Sequence, residues 1–410
     1  MTTDTLTTSL RTEPNRRLVI GGLGMTQIVA WGTTFYLPAV FANPIARDTG
    51  WSLSVVVTGL SLGLLLAGAC SPVTGRLIDR HGGRYVMAFS SILIAAGLWL
   101  MSQVTGLTGY FLSWAVLGIG MAAGLYDAAF ATLGRLYGSG ARSAITGVTL
   151  LGGLASTLCW PLLTVLEETL GWRQGAQVAA LVHLLFCLPV HLLVVPVRQE
   201  TTTTSNGGVT PAKPVEHQPA GSFFRDRRFL TICLAFTLLA FVMAGLSVHL
   251  LEVLRQRGLD TATVVMIGMI IGPAQVTARV LEFSFGRGFH PVWSARVGAL
   301  LVLIGVALFS LSQPLAAFVA AAVYGAGNGI MTIARGTLPL ALFGPDAYGE
   351  RMGVMARPVL IAQAAAPILT ATVLTRLDAF YLLPGLVILL LVSFALLALL
   401  PGARVPSPPH

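Results

Sequence analysis

The chain has 410 residues, of which 55% are apolar and 10% are charged, whereas ordinary soluble domains carry roughly 25% charged residues. This apolar set leaves too few polar side chains to cover a globule, but it fills about ten to twelve helices of bilayer length. The composition therefore excludes secreted, nucleic-acid-binding and ordinary soluble proteins. The net charge of +9 comes almost entirely from Arg clusters between apolar runs, which is typical of loops on the cytoplasmic side of a membrane.

Twelve apolar runs of spanning length follow one another along the chain. Each is predicted to be a helix, because a lone strand cannot satisfy its backbone hydrogen bonds in lipid. The first run exceeds a signal-peptide core and lacks a cleavage site, so we expect it to be retained. The predicted spans are 18–40, 52–72, 85–104, 109–134, 144–166, 174–196, 229–251, 261–282, 296–313, 315–342, 355–375 and 380–400.

These spans predict an all-α membrane protein built from two six-helix bundles. The predicted segments are a tail (1–17), a bundle (18–196), a linker rich in Thr and Pro (197–228), a second bundle (229–400) and a tail (401–410). Twelve spans put both termini on one side. If that side is the cytoplasm, 20 of the 25 Arg and Lys residues lie inside and five lie outside. The positive-inside rule therefore predicts cytoplasmic termini and location in the cell (inner) membrane.

The two halves resemble each other at matching positions. A shift of 206 residues aligns residues 136–138 with 342–344, and a shift of 203 residues aligns residues 75–79 with 278–282. Because charged positions and loop glycines match as well as apolar ones, we interpret the chain as an internal duplication. Two parallel six-helix repeats around a site at the membrane midplane are the architecture expected of an alternating-access carrier.

A charged loop stands between the second and third spans, where residues 75–84 read GRLIDRHGGR. This loop resembles the signature of the major facilitator superfamily, Gly-x3-Asp-Arg/Lys-x-Gly-x-Arg/Lys, and departs from it only at a final basic position, here Tyr85. The span count, the central linker and the repeat extend the resemblance over nearly the whole chain. Together they are specific to the superfamily, though they say little about the transported solute.

The resemblance implies a gating role for this loop rather than a substrate site. A glycine lets the second helix approach a neighbour closely, and the aspartate can lie at the positive N-terminal end of the eleventh helix. The two arginines can then pair with acids or with lipid phosphates, which would stabilise the outward-open state. The residues assigned to this role are Gly75, Asp79, Arg80, Gly82 and Arg84.

Three further motifs are similar to the monocarboxylate and oxalate/formate branch of the superfamily, namely residues 50–52 (GWS), 171–173 (GWR) and 278–279 (AR). In that branch an arginine of the eighth helix binds the carboxylate of the solute, and Arg279 occupies the matching place. Some members carry a coupling aspartate four residues earlier, where this chain has Gln275. Proton coupling by that group is therefore not predicted.

Charged side chains inside the spans are few, and each implies a partner, a wet cavity or a role. Arg279 is the main candidate for an anion site, because a guanidinium pairs bidentately with a carboxylate. Its alternative is a structural pair with Glu282, three residues further along the same helix. Asp127 and Arg335 lie within two residues of each other in the repeat alignment, so they could form one gated ion pair or two separate ones. Asp127 and Glu282 are the acids predicted to serve any proton coupling.

Polar and aromatic side chains at spanning depth complete the predicted cavity, and each has packing as its alternative role. An arginine at the start of the eleventh span matches approximately a second base of the oxalate/formate branch, with a loop position as its alternative. The candidate substrate-binding residues are Arg279, Gln275, Gln27, Trp31, Tyr36, Tyr126, Asn328, Arg335, Arg357 and Gln363.

The sequence thus predicts a secondary active transporter, a symporter or antiporter, that moves a small, monocarboxylate-like organic anion and acts as a monomer. Its expected partners are the anionic solute, a co-transported proton and membrane lipids, with no nucleic acid, cofactor or metal. An efflux pump for amphipathic or toxic compounds is the main alternative, and a transporter-like receptor is a further one. An enzyme is not expected, because no nucleophile motif, metal cluster or phosphate loop is found.

Overall fold

The protein is almost entirely helical. In the part of the chain that the structure describes, eleven continuous helical stretches are long and apolar enough to cross a membrane, and one of them, Leu107–Leu170, has 64 residues. That stretch is interrupted at Gly138, whose φ of 54° lies outside the helical region, so it forms two spans. The described residues therefore contain twelve spans, and the predicted all-α membrane fold is confirmed. The computed structural model describes residues 15–197, 204–205, 208–209, 223, 225–311, 313–377 and 379–401.

The first six spanning helices form the N-terminal half. Three of them, α1, α4 and α5, consist of two segments each, and α6 contains a π-helical turn at His183–Cys187. The helices are α1 (Arg16–Thr33 and Leu37–Thr49), α2 (Leu53–His81), α3 (Gly83–Ser102), α4 (Leu107–Gly124 and Tyr126–Tyr137), α5 (Ala141–Gly152 and Ala155–Leu170) and α6 (Trp172–Val182 and, after the π turn, Leu188–Val194).

The C-terminal half contains six continuous helices. In the intervening linker, strands β1 (Thr204–Ser205) and β2 (Gly208–Val209) pair antiparallel. Short 3-10 turns at Gly138–Gly140 and Gly286–Gly288 lead into the helices that follow them. The helices are α7 (Arg227–Gln256), α8 (Thr261–Phe285), α9 (Pro291–Phe309), α10 (Pro314–Phe343), α11 (Tyr348–Leu377) and α12 (Ala379–Leu399).

Polar side chains set several helix starts. Ser52 accepts a hydrogen bond from the backbone N–H of Val55 before α2, and Asp260 accepts one from that of Thr263 before α8. Each satisfies a donor that the first helical turn would otherwise leave without a partner. These short polar residues explain why the long apolar runs begin where they do.

The start of α1 and the end of α12 lie on one side of the bundle, called here the terminal face. On this face Arg16 donates a hydrogen bond to the carbonyl of Gly140, 2.6 Å away, and Arg84 donates to that of Val195, 2.5 Å away. The first bond joins the start of α1 to the α4–α5 turn, and the second joins the start of α3 to the end of α6. The helices therefore alternate in direction as twelve spans require.

The opposite face collects the other helix ends. There Arg173 at the start of α6 forms an ion pair with Asp48 at the end of α1, with 3.1 Å between nitrogen and oxygen. The Oε1 atom of Gln256 at the end of α7 accepts a hydrogen bond from the backbone N–H of Ala379 at the start of α12. These contacts hold the N-terminal half together at both faces and the C-terminal half together at the opposite face.

The two halves meet most closely between α2 and α11. Gly75 lies directly against the carbonyl of Gly349, and Gly353 lies against the carbonyl of Ser71. A Cβ atom at any of these glycines would collide with the facing backbone, so the close approach requires the absence of a side chain. This contact runs from the terminal face toward the centre of the membrane, where it positions the candidate site.

Candidate functional site

Breaks in three helices of the N-terminal half come together near the membrane centre. The second segment of α4 begins after Leu125, and the break leaves the carbonyl of Gly124 available. Gln27 of α1 is fully buried and donates from Nε2 to this carbonyl over 2.7 Å. Trp31 donates from its indole nitrogen to Oε1 of Gln27 over 3.2 Å. Gln27, predicted to contact substrate, therefore positions Trp31 and caps the break instead.

Aromatic side chains cover the wall next to these breaks. Trp31 lies at the centre, with its ring centroid 5.0 Å from that of Tyr126, 5.3 Å from that of Phe35 and 6.2 Å from that of Tyr36. The ring of Trp160 on α5 lies 6.0 Å from that of Tyr36, and Trp160 is 44% exposed. These five residues are called the aromatic cage below. Its edge at Trp160 lies in the half of α5 that leads to the opposite face.

Arg279 of α8 faces this wall from the C-terminal half. The residue is only 5% exposed, and its Nη2 atom donates to the hydroxyl of Thr332 on α10 over 3.3 Å. Its Nε and Nη1 atoms are buried without a hydrogen-bond partner among the described residues. Both Tyr36 and Tyr126 lie close enough to the guanidinium to interact with it electrostatically. Arg279 is therefore a buried cation with unused donors.

The absence of a side chain at one position of α5 makes room for this guanidinium. Gly153 lies against Nη1 of Arg279, and a Cβ atom there would overlap it. Gly152, the preceding residue, lies against the hydroxyl of Tyr126. The Gly152–Gly153 pair thus lets α5 pass close to both groups that line the site.

Glu282 is not the partner of Arg279. Its Oε1 atom accepts a hydrogen bond from Ser294 of α9 over 2.5 Å and lies 3.8 Å from Nη2 of Arg142 on α5. Arg142 also donates to the carbonyls of Phe289 and Gly286 over 2.6 and 2.7 Å. The structural pair considered for Arg279 from the sequence is therefore wrong, and Glu282 instead helps to join α5 to α8 at the terminal face.

Asp127 and Arg335 form one ion pair across the two halves. Oδ2 of Asp127 on α4 lies 2.7 Å from Nη2 of Arg335 on α10, and their side chains are 17% and 21% exposed. Of the two arrangements that the sequence left open, the structure has the single pair. Arg335 is thus engaged by a protein carboxylate, which leaves Arg279 as the buried arginine of the site without one.

The remaining candidates divide by position. Gln275, Asn328 and Gln363 are half-buried in α8, α10 and α11. Arg357 lies within α11, as predicted from its place near the start of the eleventh span, but its side chain is exposed. It lies on the same helical face as the exposed Ile361, four residues later. Arg357 is therefore not brought to the site, because its face of α11 points away from the bundle.

The loop between α2 and α3 contacts the start of α11. The carboxylate of Asp79 accepts hydrogen bonds from the backbone N–H groups of Gly349 and Glu350, over 3.0 and 2.7 Å. Carboxylates are favoured at a helix N-terminus, where unpaired N–H groups and the helix dipole meet. Together with the Gly75–Gly349 contact, these bonds are called the terminal latch below.

The other residues of this loop have local partners. Gly82 ends α2 with a φ of 85°, a conformation that favours glycine. The carbonyl of Arg80 accepts a hydrogen bond from Arg135 over 3.1 Å. Arg84, expected to meet an acid or a lipid phosphate, donates to the Val195 carbonyl instead, since the end of α6 lies beside the start of α3.

Several residues of the site were not identified from the sequence. Phe35, Thr332 and Gly153 carry no charge and match no motif, so only their places in the folded bundle reveal them. The Gly152–Gly153 pair inside an otherwise apolar span was the available signal, because adjacent glycines in a spanning helix indicate a break or a close contact.

Two six-helix halves around a central site are the architecture expected of a membrane transporter. The sequence model of the Major Facilitator Superfamily matches residues 23–356, which covers most of both halves. The chain belongs to the major facilitator superfamily. Among the described residues, no group of three or more His, Cys, Asp or Glu side chains could hold a metal ion.

Comparison with curated proteins finds relatives at low identity. Human monocarboxylate transporter 11 is 30% identical over 176 residues, which is 41% of this chain and 35% of that protein. Monocarboxylate transporter 13 of Bos taurus is 28% identical over 277 residues, covering 66% of this chain and 61% of that protein. An agnestins efflux protein of Paecilomyces divaricatus is 27% identical over 176 residues, covering 41% and 38%. The chain thus matches between about a third and three fifths of these relatives' length.

Solved structures share the fold. The human organic anion transporter MFSD10 matches 94% of this chain and all of its own, with a TM-score of 0.71 and 17% identity. The fucose:proton symporter FucP of E. coli matches 93% of this chain and 97% of its own, with a TM-score of 0.68 and 14% identity. At these identities the likeness establishes the twelve-helix architecture alone.

Proposed function

We propose that the protein is a secondary active transporter of small organic monoanions that works by alternating access. The observation that carries this proposal is Arg279, a buried guanidinium with two nitrogens that lack partners among the described residues. A buried charge without a counter-charge is costly, and an incoming carboxylate can offset that cost. The planar guanidinium also matches a carboxylate bidentately, which favours oxyanions over halide-like ions.

The charge of the site supports a monoanion. Arg335 is neutralised by Asp127, and Arg142 lies beside Glu282 at the terminal face. Arg279 therefore contributes a single uncompensated positive charge to the centre of the protein. One carboxylate balances this charge, whereas a second would need a further cation that this part of the site does not supply.

The aromatic cage supports an apolar body on the transported anion. Trp31, Tyr36 and Tyr126 offer ring faces and edges beside the Arg279 guanidinium. Aromatic and aliphatic groups bury apolar area against such rings, and tyrosine hydroxyls can donate to a carboxylate at the same time. The proposed solutes are thus monocarboxylates that carry an aliphatic or aromatic group.

The contacts between the halves support a direction in which the proposed cavity opens. The terminal latch and the Arg142 hydrogen bonds join the halves at the terminal face, and Trp160 is exposed on the side leading to the opposite face. The arginine clusters of the terminal face support a cytoplasmic location for it by the positive-inside rule. In the proposed cell-membrane orientation, with both termini cytoplasmic, this arrangement is an outward-facing state.

The proposed transport cycle uses the same contacts. Anion binding neutralises the Arg279 charge where the C-terminal half meets the aromatic cage, so the opposite face can close around the solute. Opening toward the cytoplasm then requires the terminal latch and the Asp127–Arg335 pair to separate. Asp127 and Glu282 are the proposed acids for gating or proton coupling, because each joins the two halves.

The relatives are consistent with this substrate class. Two are named monocarboxylate transporters, and an oxalate:formate antiporter of Oxalobacter formigenes is 26% identical over 130 residues. A second candidate function is export of amphipathic compounds. The aromatic cage and the similarity to the agnestins efflux protein favour that function, and it differs from the first in requiring no carboxylate.

Uptake into reconstituted vesicles tests both functions. The solutes are a short aliphatic monocarboxylate, an aryl monocarboxylate, the corresponding aryl amide and a dicarboxylate. The proposal expects transport of the monocarboxylates and little transport of the amide or the dicarboxylate. Equal transport of the aryl acid and its amide would favour the exporter. Arg376→Gln is the matched control for the Arg279→Gln variant, because this exposed arginine lies at the far end of α11.

A further inference from the structure

Polar side chains form a stripe along α8 that faces the N-terminal half. Gln275, Arg279 and Glu282 follow one another at spacings of four and three residues, so they lie on one side of the helix. Arg279 lies against Gly153 of α5, and Glu282 lies near Arg142 of the same helix. Gln275 therefore faces the same half, one helical turn nearer to the opposite face.

A matching polar stripe runs along α10. Asn328, Thr332 and Arg335 have the same spacings of four and three residues, and all three are half-buried. Arg335 is paired with Asp127 of α4, so this stripe also faces the N-terminal half. Asn328 lies at the end of the stripe that is nearer to the opposite face, as Gln275 does on α8.

The two stripes are adjacent. Gly329 of α10 lies directly against the carbonyl of Gln275, with no side chain between the two helices. Asn328 is the chain neighbour of Gly329, so its backbone lies close to Gln275. One turn nearer to the terminal face, Arg279 donates to the hydroxyl of Thr332 across the same interface. Gln275 and Asn328 are called the amide pair below.

The levels of the two stripes differ in how their polar groups are satisfied. Nearest the terminal face, Glu282 and Arg335 each lie beside an opposite charge on the N-terminal half. At the next level Arg279 and Thr332 share a hydrogen bond. The amide pair is half-buried, and neither of its side-chain amides is hydrogen-bonded to another residue in the described ranges. It therefore keeps donors and acceptors for a group that comes from outside the protein.

Closure of the opposite face makes these amides costly. In the outward-facing state water has access to them, but the proposed cycle closes this face around the solute. An amide that loses its water without gaining a partner destabilises the closed state. A solute that hydrogen-bonds to the amide pair removes this cost, so a site of this kind discriminates against an analogue that lacks the group.

Position and charge indicate the chemistry of that group. Gln275 precedes Arg279 by four residues, which is about 6 Å along the helix axis. An amide donates and accepts hydrogen bonds but carries no charge, so a second carboxylate would stay uncompensated there. A hydroxyl, a carbonyl or an amide fits this position. The para substituent of an aromatic ring lies at about this separation from a carboxylate on the same ring.

We infer that Gln275 and Asn328 select monocarboxylates that carry a neutral hydrogen-bonding group, such as a hydroxyl, about 6 Å from the carboxylate. Arg279 binds the carboxylate, the amide pair binds the hydroxyl, and the aromatic cage lies beside the body of the solute. The inference rests on the proposed function and narrows its substrate class, because the apolar group of the anion now has a polar end.

Uptake of three acids into vesicles reconstituted with the full chain tests the inference. The probes are benzoate, 4-hydroxybenzoate and 2-hydroxybenzoate, whose hydroxyl lies next to the carboxylate and so stays at the level of Arg279. We expect kcat/KM for 4-hydroxybenzoate to exceed that for benzoate about 10-fold, the effect of a hydrogen bond in a site that excludes water. The value for 2-hydroxybenzoate should be close to that for benzoate. At equal concentration, 4-hydroxybenzoate should also raise the melting temperature of the purified protein most.

Variants assign this preference to the amide pair. Gln275→Met and Asn328→Leu each remove an amide from a side chain of similar size. Each should lower the ratio of kcat/KM for 4-hydroxybenzoate to that for benzoate from about 10 to below about 3. The ratio compares two solutes on one protein, so the amount of folded transporter does not alter it. If one variant does not purify, the other provides the same test.

Gln177→Met is the matched control. This half-buried glutamine of α6 donates to the hydroxyl of Ser102 within the N-terminal half. Its replacement removes an amide of the same kind away from the two stripes. The ratio of the two kcat/KM values should therefore stay at that of the wild type.

Three results would overturn the inference. They are equal kcat/KM for 4-hydroxybenzoate and benzoate in the wild type, an equal gain from the hydroxyl of 2-hydroxybenzoate, and a ratio that both amide variants leave unchanged. In each case, uptake of benzoate that depends on Arg279 would leave the proposed function standing. Absence of uptake and of binding for all three acids would instead reject the proposed function, and this inference with it.

Discussion

Oδ2 of Asp127 and Nη2 of Arg335 lie 2.7 Å apart and join α4 of the N-terminal half to α10 of the C-terminal half. The two residues occupy almost equivalent places in the predicted internal repeat, so the two copies of that repeat would carry opposite charges on facing helices. The contact lies between the buried cation and the terminal latch. It therefore separates the site from the terminal face in this state.

A double-mutant cycle on this pair should show strong coupling. Asp127→Asn and Arg335→Gln should each lower the melting temperature, because each leaves the other charge partly buried without its partner. The double variant should lose less stability than the two single variants lose together. The coupling free energy should be about 1–2 kcal/mol, because both side chains are partly exposed. Additive losses in thermal unfolding would show that the pair contributes nothing in the folded state.

Removal of the Arg279 charge should separate stability from transport. Arg279→Gln should reduce kcat/KM for monocarboxylate uptake about 100-fold, since a charge-assisted bidentate contact is lost. The melting temperature of the solute-free protein should stay equal or rise, because a buried charge without a counter-charge is removed. The transport rate of Arg279→Lys should lie between those of the wild type and Arg279→Gln. A large loss of stability in Arg279→Gln, with transport retained, would contradict the proposed role.

The tyrosine hydroxyls near Arg279 should affect solute affinity. Tyr36→Phe and Tyr126→Phe should each raise KM about 10-fold, because each variant loses one hydroxyl that donates to the anion. Both variants should leave the melting temperature nearly unchanged. The matched control is Tyr110→Phe, because the Tyr110 hydroxyl donates to the carbonyl of Val56 within the N-terminal half. That variant should lose stability while its KM stays the same. Vesicle uptake and thermal unfolding measure the two effects.

A side chain at the terminal latch should open the terminal face. Gly75→Val places carbon atoms against the Gly349 carbonyl, so α2 and α11 must move apart. Asp79→Ala removes both hydrogen bonds to the start of α11 without adding bulk. Both variants should speed hydrogen exchange of the amides at 348–354. Gly50→Ala on the opposite face is the control, and unchanged exchange in both latch variants would show that other contacts hold this face closed.

His290, just before α9, should make stability depend on pH. Burial and the nearby Arg142 guanidinium lower the pKa of the His290 imidazole below its usual value of 6.5. Folding thus favours the neutral ring, so the associated stability is complete above about pH 6.5 and declines as the pH falls further. Its Nδ1 atom accepts from the Val292 N–H, and asparagine can replace that cap. His290→Asn should therefore lose less melting temperature than wild type between pH 7.5 and 5.

The helical fold could be predicted from composition because a long apolar run in a bilayer adopts one structure, the helix. The span ends were less predictable: α1 extends to Thr49, although the apolar run was placed at 18–40, because the segment after Tyr36 continues as a helix that starts at Leu37. Likewise α7 ends at Gln256, beyond the predicted 251. Polar residues at helix ends are tolerated outside the hydrocarbon layer, so hydropathy alone does not mark them.

The candidate site was predictable only where a charge drew attention to it. Arg279, Asp127 and Arg335 stood out because charges in spanning helices are costly, but their partners depended on how the two halves pack. Spacing along α8 suggested Glu282 as a neighbour of Arg279, whereas the fold turns Glu282 toward Ser294. Sequence spacing describes one helix, and the site is built from several.

The glycine-to-backbone contact between α2 and α11 has a mechanical consequence. Two surfaces that meet through main-chain atoms at Gly75 and Gly349 have no interlocked side chains that must change rotamer before they part. Opening at this level therefore breaks the hydrogen bonds that Asp79 accepts and requires no unlocking of side chains. A contact of this kind is stable in one state yet separates with a low barrier, which suits a transporter that must open and close this face in every cycle.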